Sequence, residues 1–363
     1  HKVRDIRRSA DGKSIGRITI GRQATPKNGA YAPLVDVRGL ACWPSYPLFD
    51  QLEEGETLKA QGIDLESGWN DWKDVDTFEL EHGKDFDHVI LGIPVAALPE
   101  ICSDIIDHDQ RWADMVQKVT TTPTVAAQLW LKPNLNGLGW PHPHLGRAIS
   151  GTYELPYETN ADLSNLLCRE RWPDHEYPQH VAYLCGKLDV EDYAPYSDTE
   201  FPERALDRVR AYTLDYVHRL APELWPRAFA DGEFQWHLLA DLQGRKGEDR
   251  LESQYMRANI DPTERYVLSE AGNSAYRLKA DASGYANLTL TGDWIDTGFN
   301  AGCIEAAVMS GKQAARAVTG SPIRIPGEHI LPGMPAPVKR KTKKSVQRAT
   351  AATLFKFYQS LTQ

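Results

Sequence analysis

Apolar and polar positions change register several times along this chain, and each change marks an expected element. Lys2–Arg7 and Ile15–Ile20 flank a turn at Ala10-Asp11-Gly12 and read as a β-hairpin. Leu34-Val35-Asp36-Val37 reads as a short strand, and Cys42-Trp43-Pro44 as a packed turn. Residues 50–75 are polar and acidic, a surface helix and loop with Trp69 and Trp72 over the core. Asp87–Pro94 is a buried strand ended by proline, followed by a helix over Val95–Ile106. A second helix is expected over 107–122, with Trp112, Met115, Val116 and Val119 on one face. Thr124–Leu131 and Val181–Gly186 are strands placed to pair in one sheet, Pro202–Ala221 is a helix, and Phe234–Leu242 is a further strand. Near the end, Leu288–Thr291 is a strand without charge. Ile304, Ala307, Val308, Ala314, Ala315 and Val318 then recur at helical spacing. This order of elements gives an α/β (α+β) fold class.

Between that last strand and helix lies Gly298-Phe299-Asn300-Ala301-Gly302, whose small side chains let a ligand approach the backbone. A helix start carries unpaired N–H groups and the positive end of the helix dipole. It suits a developing negative charge such as that on N1 and the C2 carbonyl of a reduced flavin. An ordinary strand-loop-helix unit explains the spacing equally well.

The residue types go further. Gly292-Asp293-Trp294, Thr297-Gly298, Gly302-Cys303-Ile304-Glu305-Ala306-Ala307-Val308 and Ser310-Gly311 resemble the C-terminal flavin-binding signature of the flavin-dependent amine oxidase and carotenoid desaturase superfamily. The resemblance implies FAD as cofactor, held in a two-domain fold with an FAD domain and a sheet-and-helix substrate domain. It implies that Asp293, after Gly292, bonds the ribityl–pyrophosphate region, with Thr297 in the same loop. It also implies that the backbone of Gly302, Cys303 and Ile304 meets the isoalloxazine ring. Pro94 would lie close to the ring, and Val3 in a strand that touches the adenine. Trp294 and Asn300 flank the loop as candidate catalytic residues, and serve equally as packing and turn residues. Many amine oxidases carry a lysine on the strand matching Pro123–Leu131. Here TPTVAAQLWL has none, looks like the desaturase strand, and places Gln128 in the ring-facing slot or pointing outward. The resemblance therefore implies dehydrogenation of a largely apolar substrate by hydride transfer to flavin N5. Amine or amino-acid oxidation and a non-catalytic scaffold subunit are the alternatives.

That family opens with a strand, a GxGxxG loop and a helix, and Gly12, Gly16 and Gly21 have neither the spacing nor the helix. His1-Lys2-Val3 resembles a later strand of the family. The expected partner is thus an N-terminal dinucleotide-binding subunit or cleaved fragment. The boundaries expected are 1–104 for part of the FAD domain, 105–284 for the substrate domain, 285–320 for the C-terminal FAD segment and 321–363 for a linker and tail.

Composition adjusts this picture in three places. The net charge is −9 over 363 residues. Residues 336–363 hold seven of the 41 basic residues and no acid, leaving a body at −16 that argues against nucleic-acid binding. The tail's basic run precedes a helical stripe from Val346 to Leu361. Docking of 338–363 on an acidic partner or on this body is favoured over a membrane surface. Five scattered cysteines and no run of eighteen apolar residues point to a reducing, cytoplasmic setting with peripheral membrane contact as the further option. The histidines, including His142-Pro143-His144, show no metal-ligand spacing, so no metal is expected.

Overall fold

A computed structural model describes residues 1–141, 149–151, 155–189 and 193–328. His142-Pro143-His144 and the basic tail lie outside the described residues, as does most of the linker. The expected hairpin forms from Lys2–Arg8 and Ile15–Arg22, and a third antiparallel strand, Asp76–Glu81, joins its outer edge. The polar stretch before it forms the helix Gly55–Ala60 and a loop that buries Trp69. Trp72 donates its indole N–H to Gln23 O at 2.7 Å.

Val89–Leu91 pairs in parallel with Leu288–Leu290, and the amide of Thr291 extends the ladder to Leu91 O at 2.9 Å. The helix expected over Val95–Ile106 is broken. Short helical turns at Val95–Ala97 and Leu98–Ile101 end at Cys102, and Ser103–His108 starts anew. Pro99 in the first turn of Leu98–Ile101 has no N–H to carry a bond from the turn before. Of the helix expected over 107–122, Gln110–Lys118 forms, with the Asp109 side chain accepting from the Arg111 amide at its start, while Thr121–Thr122 pairs as a strand with Tyr266–Val267.

Thr124–Leu131 lies inside a five-stranded antiparallel sheet, between Tyr255–Asn259 and His180–Lys187, with Thr159–Asp162 and Ile149–Gly151 beyond. Side-chain alternation sends Val125, Ala127, Leu129, Leu131, Ala182 and Leu184 to one face. There they pack with Ala205, Val209, Tyr216 and Val217 of the helix Phe201–Arg219. A second core gathers Ile6, Ile15, Leu91, Trp112, Met115, Leu290, Trp294 and Ile295. It joins the hairpin, the parallel ladder and the helix Gln110–Lys118.

Two further expectations are corrected. Phe234–Leu242 is no strand: Glu233–Phe234 closes a tight hairpin with Phe229–Ala230, and Trp236–Leu238 is a helical turn. The positive φ angles of Asp231 and Gly232, 51° and 83°, reverse the chain there, and Phe234 packs its ring edge-on to Trp236. The terminal helix Ile304–Thr319 forms as expected, but it buries Ala306, Met309, Ser310, Gln313 and Ala314. Most of the apolar stripe read from the sequence faces outward, with Ile304 80% and Val308 51% exposed. Ser310 Oγ accepts from the Gly292 amide and Gln313 Nε2 donates to Thr297 O, so the helix is held by its more polar side. Among the described residues, no helix is long and apolar enough to cross a membrane.

Candidate functional site

The terminal strand runs into a turn that glycine makes possible. Gly292 has φ +128°, a conformation L side chains rarely adopt, and an added Cβ would come within 2.3 Å of Trp294 Nε1. Its amide donates to Ser310 Oγ at 2.8 Å, and Ser310 Oγ also meets Thr291 Oγ1 at 3.0 Å and donates to Ala307 O at 2.7 Å. The turn is thereby fastened to the helix that follows it. Trp294 folds back over Gly292 and is only 1% exposed, so the structure places it in the core.

Asp293 is half-buried at the turn. Burial raises its pKa, while the nearby Arg277 pulls the other way. Arg277 is itself buried and acts through carbonyl oxygens. Nη1 donates to Asp293 O at 2.6 Å and Nη2 to Leu268 O at 2.9 Å. Its Nε has no partner. Burial lowers the Arg277 pKa, and Asp293 and Asp296 oppose that shift.

The loop beyond is organised by Asn300, at φ 54°. Its Oδ1 accepts from the amides of Thr297 and Gly298 at 2.9 and 3.2 Å, and its Nδ2 donates to Asp296 at 3.0 Å. The structure thus places the Asn300 amide inside the loop, with Thr297 Oγ1 accepting from its backbone N–H at 3.1 Å. Cys303 is the N-cap of the helix, and no side chain caps that start. The first N–H groups of a 16-residue helix are therefore left for another acceptor. Gly302 is confined from behind, where a Cβ would lie 2.7 Å from Val267 O and 2.8 Å from the Tyr266 ring. The Tyr266 hydroxyl donates to Gly302 O.

Tyr266 also connects this loop to the large sheet. Burial raises its pKa, and Cys303, Asp293 and Cys185 lie near enough to add to the rise. Cys185 sits on the sheet face opposite the core, with Ala126 directly across from it. On the same face Gln128 stands between Tyr183 and Tyr255 in register. Burial is also the main reason that the Tyr183 phenol is pushed up to about 12. A face of tyrosines, a glutamine and a thiol thus adjoins the uncapped helix start.

Of the residues expected from sequence, Gly292, Asp293, Thr297, Gly302, Cys303 and Ile304 share this turn, loop and helix start. Pro94 follows the strand paired with Leu288–Leu290, and a Cβ on Gly92 would meet Thr291 Cγ2 at 3.1 Å. Val3 packs against the core beneath the ladder. Gln128 comes from the other sheet. Arg277, Tyr266 and Ser310 were not picked out from the sequence. Arg277 stands among loop residues and Tyr266 in a two-residue strand, neither with a periodic signal, and Ser310 reads as one more small helix residue.

Residues 70–319 match the family described as flavin containing amine oxidoreductase. The chain belongs to that family. Among solved structures it is similar to an oxidoreductase from Methanosarcina mazei, at 13% identity and a TM-score of 0.39. The match covers 64% of this chain and 44% of that chain. No curated protein matches. As a family member the chain has a mixed α/β architecture of several small sheets, and its family is one of FAD-dependent oxidoreductases.

Proposed function

We propose that this flavin amine oxidoreductase family member carries the ring-holding part of an FAD site and dehydrogenates a largely apolar substrate, with hydride transfer to flavin N5. The observation that carries the reading is the uncapped start of Ile304–Thr319 beside the Tyr183–Gln128–Tyr255 face. Free helix-start amides at Cys303 and Ile304 fit the electron-rich edge of a flavin, because donors there gain strength where water is excluded. Asp293, with its pKa raised by burial beside Arg277, would bond hydroxyl groups of the cofactor's ribityl chain. Tyr183, Tyr255 and Gln128 would hold the substrate over that edge and keep water out.

The finer choice of reaction rests on Lys132 and Gln128. Lys132 is the first lysine after this strand, and its Nζ is occupied by Glu176 at 2.7 Å. Gln128 occupies the middle of the face instead. This favours a desaturase-like reaction over amine oxidation assisted by a lysine-held water.

An N-terminal dinucleotide-binding unit, as a subunit or fragment, would complete the cradle. Its docking place is the two-stranded parallel ladder and the outward stripe Ile304, Val308 and Val318, with Ile90 of the ladder 56% exposed. Parallel ladders are ordinarily covered on both faces. Asp293→Ala tests the cofactor reading. The protein purified with its partner should carry flavin, and the variant should carry far less. Flavin-free parent protein with the partner present would sink the proposal, and unchanged flavin content in the variant would remove Asp293 from the site.

A further inference from the structure

At the outer end of the same sheet face lies an open surface hollow of about 480 Å³. Val35, Val37, Trp130, Trp172 and Leu242 line it around Glu170. The two indole rings stand 5.9 Å apart at 48°. Both donate to a single carboxylate oxygen: Trp130 Nε1 reaches Glu170 Oε2 at 2.9 Å and Trp172 Nε1 reaches it at 2.6 Å. Glu170 Oε1 has no hydrogen-bond partner among the described residues. A carboxylate held by two indoles through one oxygen, with the other oxygen unbonded beside a largely apolar hollow, offers what an organic cation needs. The ring faces attract the positive charge and the open oxygen accepts from it or pairs with it.

We infer that this cavity binds an ammonium group bearing an apolar chain, and that it is the far-end subsite of the enzyme's substrate. Two arginines, Arg169 and Arg171, also border the cavity. Both are exposed, and Arg171 donates to Asp36 O at 3.1 Å, across to the hairpin Val35–Cys42. Water screens their charge, whereas Glu170 is half-buried between the rings. The chain of the ligand has a path. Trp130 and Gln128 are two residues apart on one strand and share a face, so about 7 Å separates them. Continuing to Ala126 adds about 7 Å more, opposite Cys185 and next to the Tyr266 loop. An extended alkyl chain anchored at Glu170 therefore runs along the sheet toward the uncapped helix start. The assignment as a substrate subsite rests on the proposed oxidoreductase reading, whereas the cation binding does not.

The test uses the full chain and three probes with the same tail: dodecyltrimethylammonium, dodecanol and dodecyl sulfate, all below micelle formation. Binding is followed by calorimetry and by tryptophan fluorescence, neither of which needs flavin. The ammonium probe should bind most tightly. Glu170→Gln should weaken it roughly tenfold while leaving dodecanol unchanged. Arg169→Glu, at an exposed position, should tighten it, which keeps the test open if Glu170→Gln does not fold. Equal binding of the three head groups, stronger binding of the sulfate, or no binding at all would overturn the inference. Flavin-free protein that still prefers the ammonium probe would leave the cation site standing and sink only the cofactor reading.

Discussion

Ser310→Ala gives the sharpest test of how the turn at Gly292 is held, because two effects of that change have opposite signs. Alanine is the better helix former by a few tenths of a kcal/mol, so helix propensity alone makes the variant slightly more stable. The structure says otherwise. Ser310 is fully buried, and its hydroxyl satisfies the Gly292 amide, meets Thr291 Oγ1 and donates to Ala307 O. Removing it leaves the Gly292 amide and the Thr291 hydroxyl short of a partner at a partly buried site. An unsatisfied group of this kind costs about 1–3 kcal/mol. After the propensity gain, a net loss of about 1–2 kcal/mol remains, or a few degrees in Tm. Urea denaturation of the full chain measures it. Val308→Ala, on the exposed side of the same helix, serves as control and should stay within about 0.5 kcal/mol. If Ser310→Ala is neutral or stabilising, the hydroxyl does not fasten the turn and the account of the site's frame fails.

Two further outcomes are expected. Burial raises the Asp293 pKa above its ordinary 3.8. The folded state therefore favours the neutral carboxyl, and its contribution to stability is full below 3.8 and lost as pH rises through the folded value. Asp293→Asn should gain on the parent in urea midpoint as pH rises across that window, and a pH-independent difference would show that burial does not govern this group. Cysteine labelling makes the other prediction. Burial pushes the Cys102 thiol up to about 12, whereas Cys168 is exposed. Iodoacetamide at about pH 8 should label Cys168 in the native protein and reach Cys102 only after unfolding, as read by peptide mass spectrometry. Early labelling of Cys102 would mean that the core beneath the ladder opens locally.

The sequence was legible where local pattern and local structure agree. Leu288–Leu290 followed by a Gly-Asp turn, and Thr124–Leu131 after Pro123, carry their own punctuation. Thr159–Asp162 and Tyr255–Asn259 were missed because each holds few apolar residues and exists only by pairing with distant strands. Asp76–Glu81 hid behind its acids, although Phe78 and Leu80 alternate in the way a strand requires. In the terminal helix the periodicity was right and the face was wrong. An apolar stripe shows that something is covered, and not whether this chain or another surface covers it. The site followed the same rule. Its glycines and Asp293 stand in one contiguous motif, whereas Tyr266, Tyr183 and Tyr255 meet it only through the fold.

The Arg277 guanidinium has a mechanical consequence. It bonds the Asp293 carbonyl on the turn and the Leu268 carbonyl on the segment after Tyr266–Val267, and Ser269 Oγ of that segment donates to Asn300 O at 2.6 Å. The turn and that segment are thus tied both through this cation and directly, with the Asp296 amide donating to Leu278 O as a further fastening nearby. Pulling the two segments apart would leave carbonyls on each short of a partner, so they loosen together. A perturbation that displaces the turn at Gly292 is therefore expected to displace residues 268–269 with it.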